Sequence, residues 1–284
     1  MDGSRLFSNA RVVLGVAWAQ GGRDYMQDAF SLSLSCATKE AEVDFFGVFD
    51  GHGPNGENMS RFVAYKLCDM VLEEFARPNQ SFPQAIETAC LMLDRDMEST
   101  PELMEDDGQV LGGTTASVVW IKKNEIYSCN IGDSRFILSY NGKAVPVTED
   151  HKPDNDTERM RIVQAGGFVE DGRVNGILGV ARAFGDFMFK DAKKKKPHEQ
   201  LVSVLPDVRT VQIDEGIDFL VIASDGIWDM MDNQQVVQFI IARMNKTMPL
   251  NVICEELIDN CRIPIDPVSG LGADNMTCII AVLR

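Results

Sequence analysis

FFGVFDGHG (Phe45–Gly53) is a β-type apolar run that stops at an aspartate followed by glycine. FLVIASDGIWD (Phe219–Asp229) repeats the pattern far downstream, and in GADNMTCIIAVL (Gly272–Leu283) an aspartate immediately precedes such a run. Asp50, Asp225 and Asp274 therefore each stand at the mouth of an expected buried strand. A carboxylate there is costly to desolvate unless something positive sits beside it. Those segments contain no lysine or arginine, which points to a metal as the positive partner. Oxygen ligands select hard cations, Mg²⁺ or Mn²⁺, over zinc, which prefers His and Cys. Three histidines in all, with no paired Cys/His spacing, argue against zinc.

The 284 residues are enough for one large core or two small ones, and 45% hydrophobic with 25% charged residues is ordinary globular composition. No internal repeat and no long Pro/Gly/Ser linker interrupts the chain, so residues 1–284 are expected to form a single domain. No window reaches the roughly 18 uninterrupted apolar residues of a membrane span. The start, MDGSRLFSNARVVLGVAW, lacks the apolar block of a secretion signal, and Asp2 is not the glycine that myristoylation needs. Seven cysteines (36, 68, 90, 129, 254, 261, 278) include no CxxC pair and read as reduced core residues of a cytoplasmic or nuclear protein. Cys254 and Cys261 would share a face of a helix. A net charge of −16 repels phosphate backbones and excludes broad nucleic-acid binding. The lysine tract Lys193–Lys196 reads first as a solvated loop, then as a docking patch or import signal.

Strand patterns recur at Arg11–Ala19, Asp44–Asp50, Thr115–Lys122, Glu125–Ile131, Ser134–Tyr140, Lys143–Val147, Val208–Ile213, Asp218–Ala223 and Met276–Leu283. Asn141-Gly142 is a two-residue hairpin turn, and a second hairpin is expected around Lys123-Asn124. Tight turns imply antiparallel pairing. Helical spacing covers Gly56–Phe75, Phe82–Met97 and Pro249–Cys261, and Asp232 followed by Gln235 opens a helix that runs to about Met244. Interior strands with exterior helices suggest a layered sandwich, although periodicity alone leaves other α/β layouts open.

Further blocks accompany the three aspartates: GRDYMQD (Gly22–Asp28), LGGTTA (Leu111–Ala116), IGDSR (Ile131–Arg135), TEDHKP (Thr148–Pro153), AGGFV (Ala165–Val169) and RVNGILGVARAFGD (Arg173–Asp186). In this order, and over nearly the whole chain, they resemble the metal-dependent Ser/Thr protein phosphatases of the protein phosphatase 2C (PP2C, or PPM) family. The resemblance implies an α+β fold, a four-layer αββα sandwich of two antiparallel sheets packed face to face with helices outside. It implies hydrolysis of phosphoserine and phosphothreonine in phosphoprotein substrates by a hydroxide held between two Mg²⁺ or Mn²⁺ ions, without a phosphoenzyme. Two such ions about 3.5–4 Å apart acidify a water and clamp a phosphoryl group.

By the same resemblance Asp50 bridges the metals, the Gly51 carbonyl and the Gln27 position serve one of them, and Asp225 and Asp274 serve the other. Asp133 and Asp229 would join Asp225 around a third, looser ion. His52 would protonate the departing Ser or Thr oxygen, and Arg23 would clamp phosphate through its bidentate guanidinium. His151 reads as a loop brace, His198 as exposed and Asp186 as structural. The stretch between Asp150 and Asp186 corresponds to a mobile flap beside the active site. The protein is expected to act as a monomer.

Two positions depart from the family pattern. Ala181 stands where serine is common, and Gln27 replaces the glutamate of Met-Glu-Asp. The glutamine carbonyl can still coordinate, but it brings no charge. The centre is then one unit more positive, so it should hold the metal on the Gly51 side less tightly and attract a phosphate dianion better. A catalytically weakened scaffold of the same fold is the first rival, with Gln27 as its first lost ligand. A two-metal phosphodiesterase is the second, disfavoured by the acidic surface. A cysteine phosphatase is disfavoured: Cys129 and Cys278 have an arginine six residues later, but each sits inside an apolar strand pattern, not in a loop that could cradle phosphate.

Overall fold

The computed structural model describes residues 2–38, 40–190, 195–262 and 273–284. Two residues of the basic tract, Lys193 and Lys194, lie outside the described residues. The chain begins with β1 (Gly3–Ser8), β2 (Val12–Ala19), β3 (Asp28–Ala37) and β4 (Glu42–His52), followed by α1 (Gly56–Ala76) and α2 (Phe82–Glu98). A short β5 (Gly113–Thr114) precedes β6 (Ala116–Lys122), β7 (Glu125–Ile131), β8 (Arg135–Tyr140) and β9 (Lys143–Pro146). Then come α3 (Asp156–Gln164) and the two-residue strands β10 (Val169–Glu170), β11 (Arg173–Val174) and β12 (Phe184–Gly185). β13 (Asp207–Gln212), β14 (Ile217–Ala223), α4 (Asp225–Trp228), α5 (Asn233–Met244), α6 (Leu250–Cys261) and β15 (Met276–Leu283) complete it.

Two large antiparallel sheets result, beside the small β10–β11 pair. One runs β1-β2-β15-β14-β8-β9, and the other runs β12-β5-β4-β6-β7-β13 with β3 paired to β4. Strand parity explains the layering, because successive side chains point to opposite faces of a sheet. In β4, Phe45 and Phe49 pack under α1 and α2, whereas Phe46 and Val48 pack between the sheets. In β14, Val221 and Ala223 face α5 and α6, whereas Leu220 and Ile222 meet the opposite sheet. The order of layers is therefore helices, sheet, sheet, helices, as the sequence motifs imply.

All nine expected strands and four expected helices are present. The Asn141-Gly142 turn carries the positive φ values of a tight hairpin, 48° and 75°. Asp232 and Gln235 form a reciprocal capping box on α5, and Ser81 with Gln84 forms another on α2. Cys254 and Cys261 both lie buried on α6, and none of the seven cysteines is in a disulfide. The strands β1 and β3 and the helices α3 and α4 were not anticipated. No helix among the described residues is long and apolar enough to cross a membrane.

Gly15 decides how closely α6 lies on its sheet. A Cβ at Gly15 would stand 2.2 Å from the Leu250 backbone carbon and 2.4 Å from the Asn251 nitrogen. The Cys254 thiol also donates to the Gly15 carbonyl at 3.3 Å. Backbone cannot yield as a flexible side chain can. Gly15→Val is expected to destabilise the protein by roughly 2–3 kcal/mol, the upper range for overpacking a close contact. A lower denaturant midpoint with an unchanged slope checks this, and an unshifted midpoint rejects it.

Candidate active site

The ends of four strands meet at one edge of the sandwich. Asp28 opens β3 and pairs in register with Asp50 near the end of β4, while Ala223 at the end of β14 pairs with Cys278 near the start of β15. The two sheets are tied there by Ser224, whose hydroxyl donates to Asp28 Oδ2 at 2.8 Å and accepts from the Thr277 amide. Above this seam lies a cavity of about 880 Å³. Arg23, Gln27, Asp50, Gly51, His52, Asp133, Asp225, Asp229 and Asp274 all line it. Every site residue expected from sequence is thus brought to one place.

Asp50 continues the parity of Phe46 and Val48, so it points into the seam between the sheets. The LGGTTA block buttresses it. Thr115 donates its amide to the Asp50 carbonyl at 2.9 Å and accepts the Asp50 amide on its hydroxyl at 3.1 Å, while Thr114 Oγ1 also donates to that carbonyl. Asn275 organises the opposite wall. Its side chain donates to the carbonyls of Gln20 and Tyr25 and accepts from the Gln27 amide at 2.7 Å, which pins the Arg23–Gln27 segment beside Asp274. Gly21, at φ +63°, permits this approach, since a Cβ there would meet the Asp274 carbonyl at 2.1 Å. The Gln27 side chain donates to the Gly53 carbonyl at 2.8 Å. A glutamate could not make that bond as a carboxylate.

The electrostatics are dominated by negative charge. Burial, then the charges of Asp28, Asp225, Asp133 and Asp274, pushes the Asp50 carboxyl well above the usual range. Burial, then Asp133, Asp274 and Asp229, does the same to Asp225. Asp229 is raised as well, mainly by burial, and Asp28 rises to about 6 for the same reason. Two cations answer these acids. Arg23 holds Asp274 at 2.7 Å, and Lys152 bonds Asp133, whose carboxylate keeps the lysine charged against its burial. Among the described residues, no cation is paired with Asp50, Asp225 or Asp229.

An all-oxygen donor set with surplus negative charge fits hard divalent cations. Among the described residues no three His, Cys, Asp or Glu side chains already form a ready cage. Asp274 and Asp133 are turned to Arg23 and Lys152, so ion binding at those carboxylates would compete with two protein cations.

His52 makes a contact that sequence reasoning missed: its Nε2 lies 2.6 Å from Asp186 Oδ2. Burial lowers the imidazole pKa, but the Asp186 carboxylate, through charge and hydrogen bond together, holds it above the ordinary histidine value. Asp186, read as structural, is therefore part of the cavity wall. Asp28 and Lys152 were likewise not singled out, although both adjoin quoted residues in MQD and DHKP. His151 does brace a loop, accepting from the Gly132 amide at 3.1 Å, and His198 is exposed.

The stretch between Asp150 and Asp186 builds a small core from Ile162, Val174 and Val180, which Phe189 and Val202 complete from beyond it. Buried Glu158 pairs with Arg161 and Arg182, and Arg182 reaches Asp207 on β13 at 2.7 Å. Exposed Ile177 and Met188 bring this unit to the cavity rim.

A profile of the family described as Protein phosphatase 2C matches residues 13–264. A probable protein phosphatase 2C of Caenorhabditis elegans is 41% identical over 278 residues, covering 97% of this chain and 76% of that protein. Protein phosphatase 2C homolog 2 of Hypocrea jecorina is 38% identical over 277 residues, covering 95% of this chain. The chain spans only 62% of that relative's length. A Toxoplasma gondii phosphatase structure superposes with a TM-score of 0.79 at 24% identity, over 96% of this chain and 93% of the other. A C. elegans sex-determining protein superposes at 0.76, also at 24% identity, over 95% of this chain and 64% of the other.

Crowded acids have a measurable cost. Asp28 titrates near 6 in the folded protein against an ordinary value of 3.8, so its charged form opposes folding. Lowering the pH through about 6 protonates the folded form first and stabilises it, and the gain is complete near the unfolded value. In chelator-treated protein, Asp50→Asn should therefore raise the thermal midpoint at neutral pH, on a scale of about 2–4 °C per kcal/mol for a chain of this size. A lower midpoint would show that the Asp50 charge is already compensated by the protein.

Proposed function

The chain belongs to the protein phosphatase 2C family, whose members are metal-dependent; from that premise we propose that it is a protein serine/threonine phosphatase. It hydrolyses phosphoserine and phosphothreonine by direct attack of water on phosphorus, acting as a monomer with one catalytic domain. The observation that carries this reading is the cavity in which six aspartates, His52 and Arg23 converge from distant parts of the chain. When bound, two Mg²⁺ or Mn²⁺ ions supply a water of lowered pKa and neutralise the phosphoryl oxygens. Asp50, the Gly51 carbonyl, Asp225 and Asp274 would hold them, with Gln27 at the edge of one. Asp133 and Asp229 would serve a third, weaker ion in exchange for the Lys152 contact.

The protein's own groups have separable tasks. Arg23 is more than half exposed at the rim, so its guanidinium can trade the Asp274 carboxylate for two phosphate oxygens. His52, whose protonated form the Asp186 carboxylate favours, donates the proton that spares the seryl or threonyl oxygen from leaving as an alkoxide. The wall bearing Ile177 and Met188 covers one side of the bound residue and excludes water from it. The free cysteines favour a reducing compartment, cytoplasm or nucleus.

Turnover of a phosphothreonine peptide with added Mn²⁺, abolished by EDTA and by Asp50→Ala, is the direct test. A scaffold of the same fold would bind the peptide and release no phosphate. Gln27→Glu restores a negative charge but forfeits the amide bond to Gly53. Calorimetric Mn²⁺ titration should show tighter binding in this variant, by roughly 10-fold if one unit of charge is gained at a partly solvated site. An unchanged half-saturation rejects the charge argument.

A further inference from the structure

Asp186 is held in place by far more than a turn residue needs. His52 on β4 and Gly185 on β12 both pair with Gly113 of the intervening β5, so Asp186 must reach across one strand to touch the imidazole. Gly113 leaves the path clear: a Cβ there would lie 2.3 Å from Asp186 Oδ2. The backbone of Asp186 is left-handed, at φ 52°, and its amide donates to the Gly112 carbonyl at 2.8 Å. Behind it, buried Asp94 of α2 accepts from the Gly185 amide and from Lys190 Nζ, both at 2.8 Å. Lys190 also donates to the Ala183 carbonyl at 2.8 Å, so one buried ion pair clasps the chain on either side of Asp186.

The backbone alone does not call for a carboxylate, because glycine and asparagine accept positive φ at least as well. The side chain instead ends 2.6 Å from His52 Nε2 and is almost wholly buried. His52 Nδ1 has no partner among the described residues, and the ring borders the cavity.

We propose that Asp186 is a positioning residue, which grips His52 through Nε2 so that Nδ1 is the atom presented to the substrate's leaving oxygen. This rests on the phosphatase reading and deepens it. As the bond from phosphorus to the seryl oxygen breaks, that oxygen takes the bonding pair and the Nδ1 proton. The attacking water forms the new phosphorus–oxygen bond and loses its proton to solvent. The ring keeps its Nε2 proton on Asp186 throughout and is reprotonated at Nδ1 by solvent.

The experiment compares Asp186→Asn, which keeps an acceptor, with Asp186→Gly, which removes it; both residues suit the backbone. With Mn²⁺ present, kcat is measured on a phosphothreonine peptide and on p-nitrophenyl phosphate, whose leaving group needs no proton. A loss of roughly 10–100-fold on the peptide is expected, part of the general-acid contribution. It should be larger for glycine than for asparagine, with KM little changed and a much smaller loss on the aryl ester. Equal losses on both substrates, or a glycine variant with full peptide kcat, overturn the proposal. NMR of the metal-free protein gives a second readout, with only three histidines to assign. A downfield Nε2 proton of His52 should be present in wild type and lost in Asp186→Gly, and its absence from wild type also overturns the proposal. A wild type inert toward both esters would instead sink the phosphatase reading on which the proposal rests.

Discussion

Like charge buried where two sheets meet is the constraint on which this molecule is built. Asp28, Asp50 and Asp225 come from different strand ends, and the charges of Asp28 and Asp225 raise the cost of ionising Asp50. Such a cluster survives only in a scaffold whose stability comes from elsewhere. The aliphatic layer between the sheets and the two helix-covered faces provide it. The acids are confined to one edge, where a few hydrogen bonds from Thr115, Ser224 and Asn275 fix the backbone without neutralising the carboxylates. The result is a cavity that remains short of positive charge. That shortage is what makes it receptive to cations.

Much of this was legible in the chain because strands and site share one code. An apolar run with period two, ended by aspartate and glycine, announces both a core strand and a carboxylate at its mouth. β3 was harder to see. Its FSLSLS alternation is a regular period-two pattern, but serine on every second position reads as loop where the apolar face is not known in advance. α3 is short and rich in charge, and its packing depends on Glu158 and Arg182, a long-range ion pair that local periodicity cannot reveal. Asp186 was missed for a similar reason. In sequence it is the last residue of an FGD turn, and only the pairing of β12 with β5 and of β5 with β4 brings it to His52.

Glycines at the site mark close approaches rather than flexibility. Gly113 clears a path for a carboxylate, and Gly21 lets the Arg23 segment lie against Asp274. Gln27 shows a different economy. Its backbone serves the scaffold by accepting from Gly51 and Ser60, while its side chain binds Gly53. The glutamine therefore shapes the turn that follows His52 even though it adds no charge to the cavity.

The alternation along β4 has a consequence for how such a protein can change over time. Phe45 and Phe49 face the helices while Phe46, Val48 and Asp50 share the other side. A single-residue insertion or deletion inside this strand would drive a carboxylate beneath α1 and turn a phenyl ring into the cavity at the same moment. Core and chemistry would fail together. An architecture of this kind can therefore vary β4 by substitution but not by length.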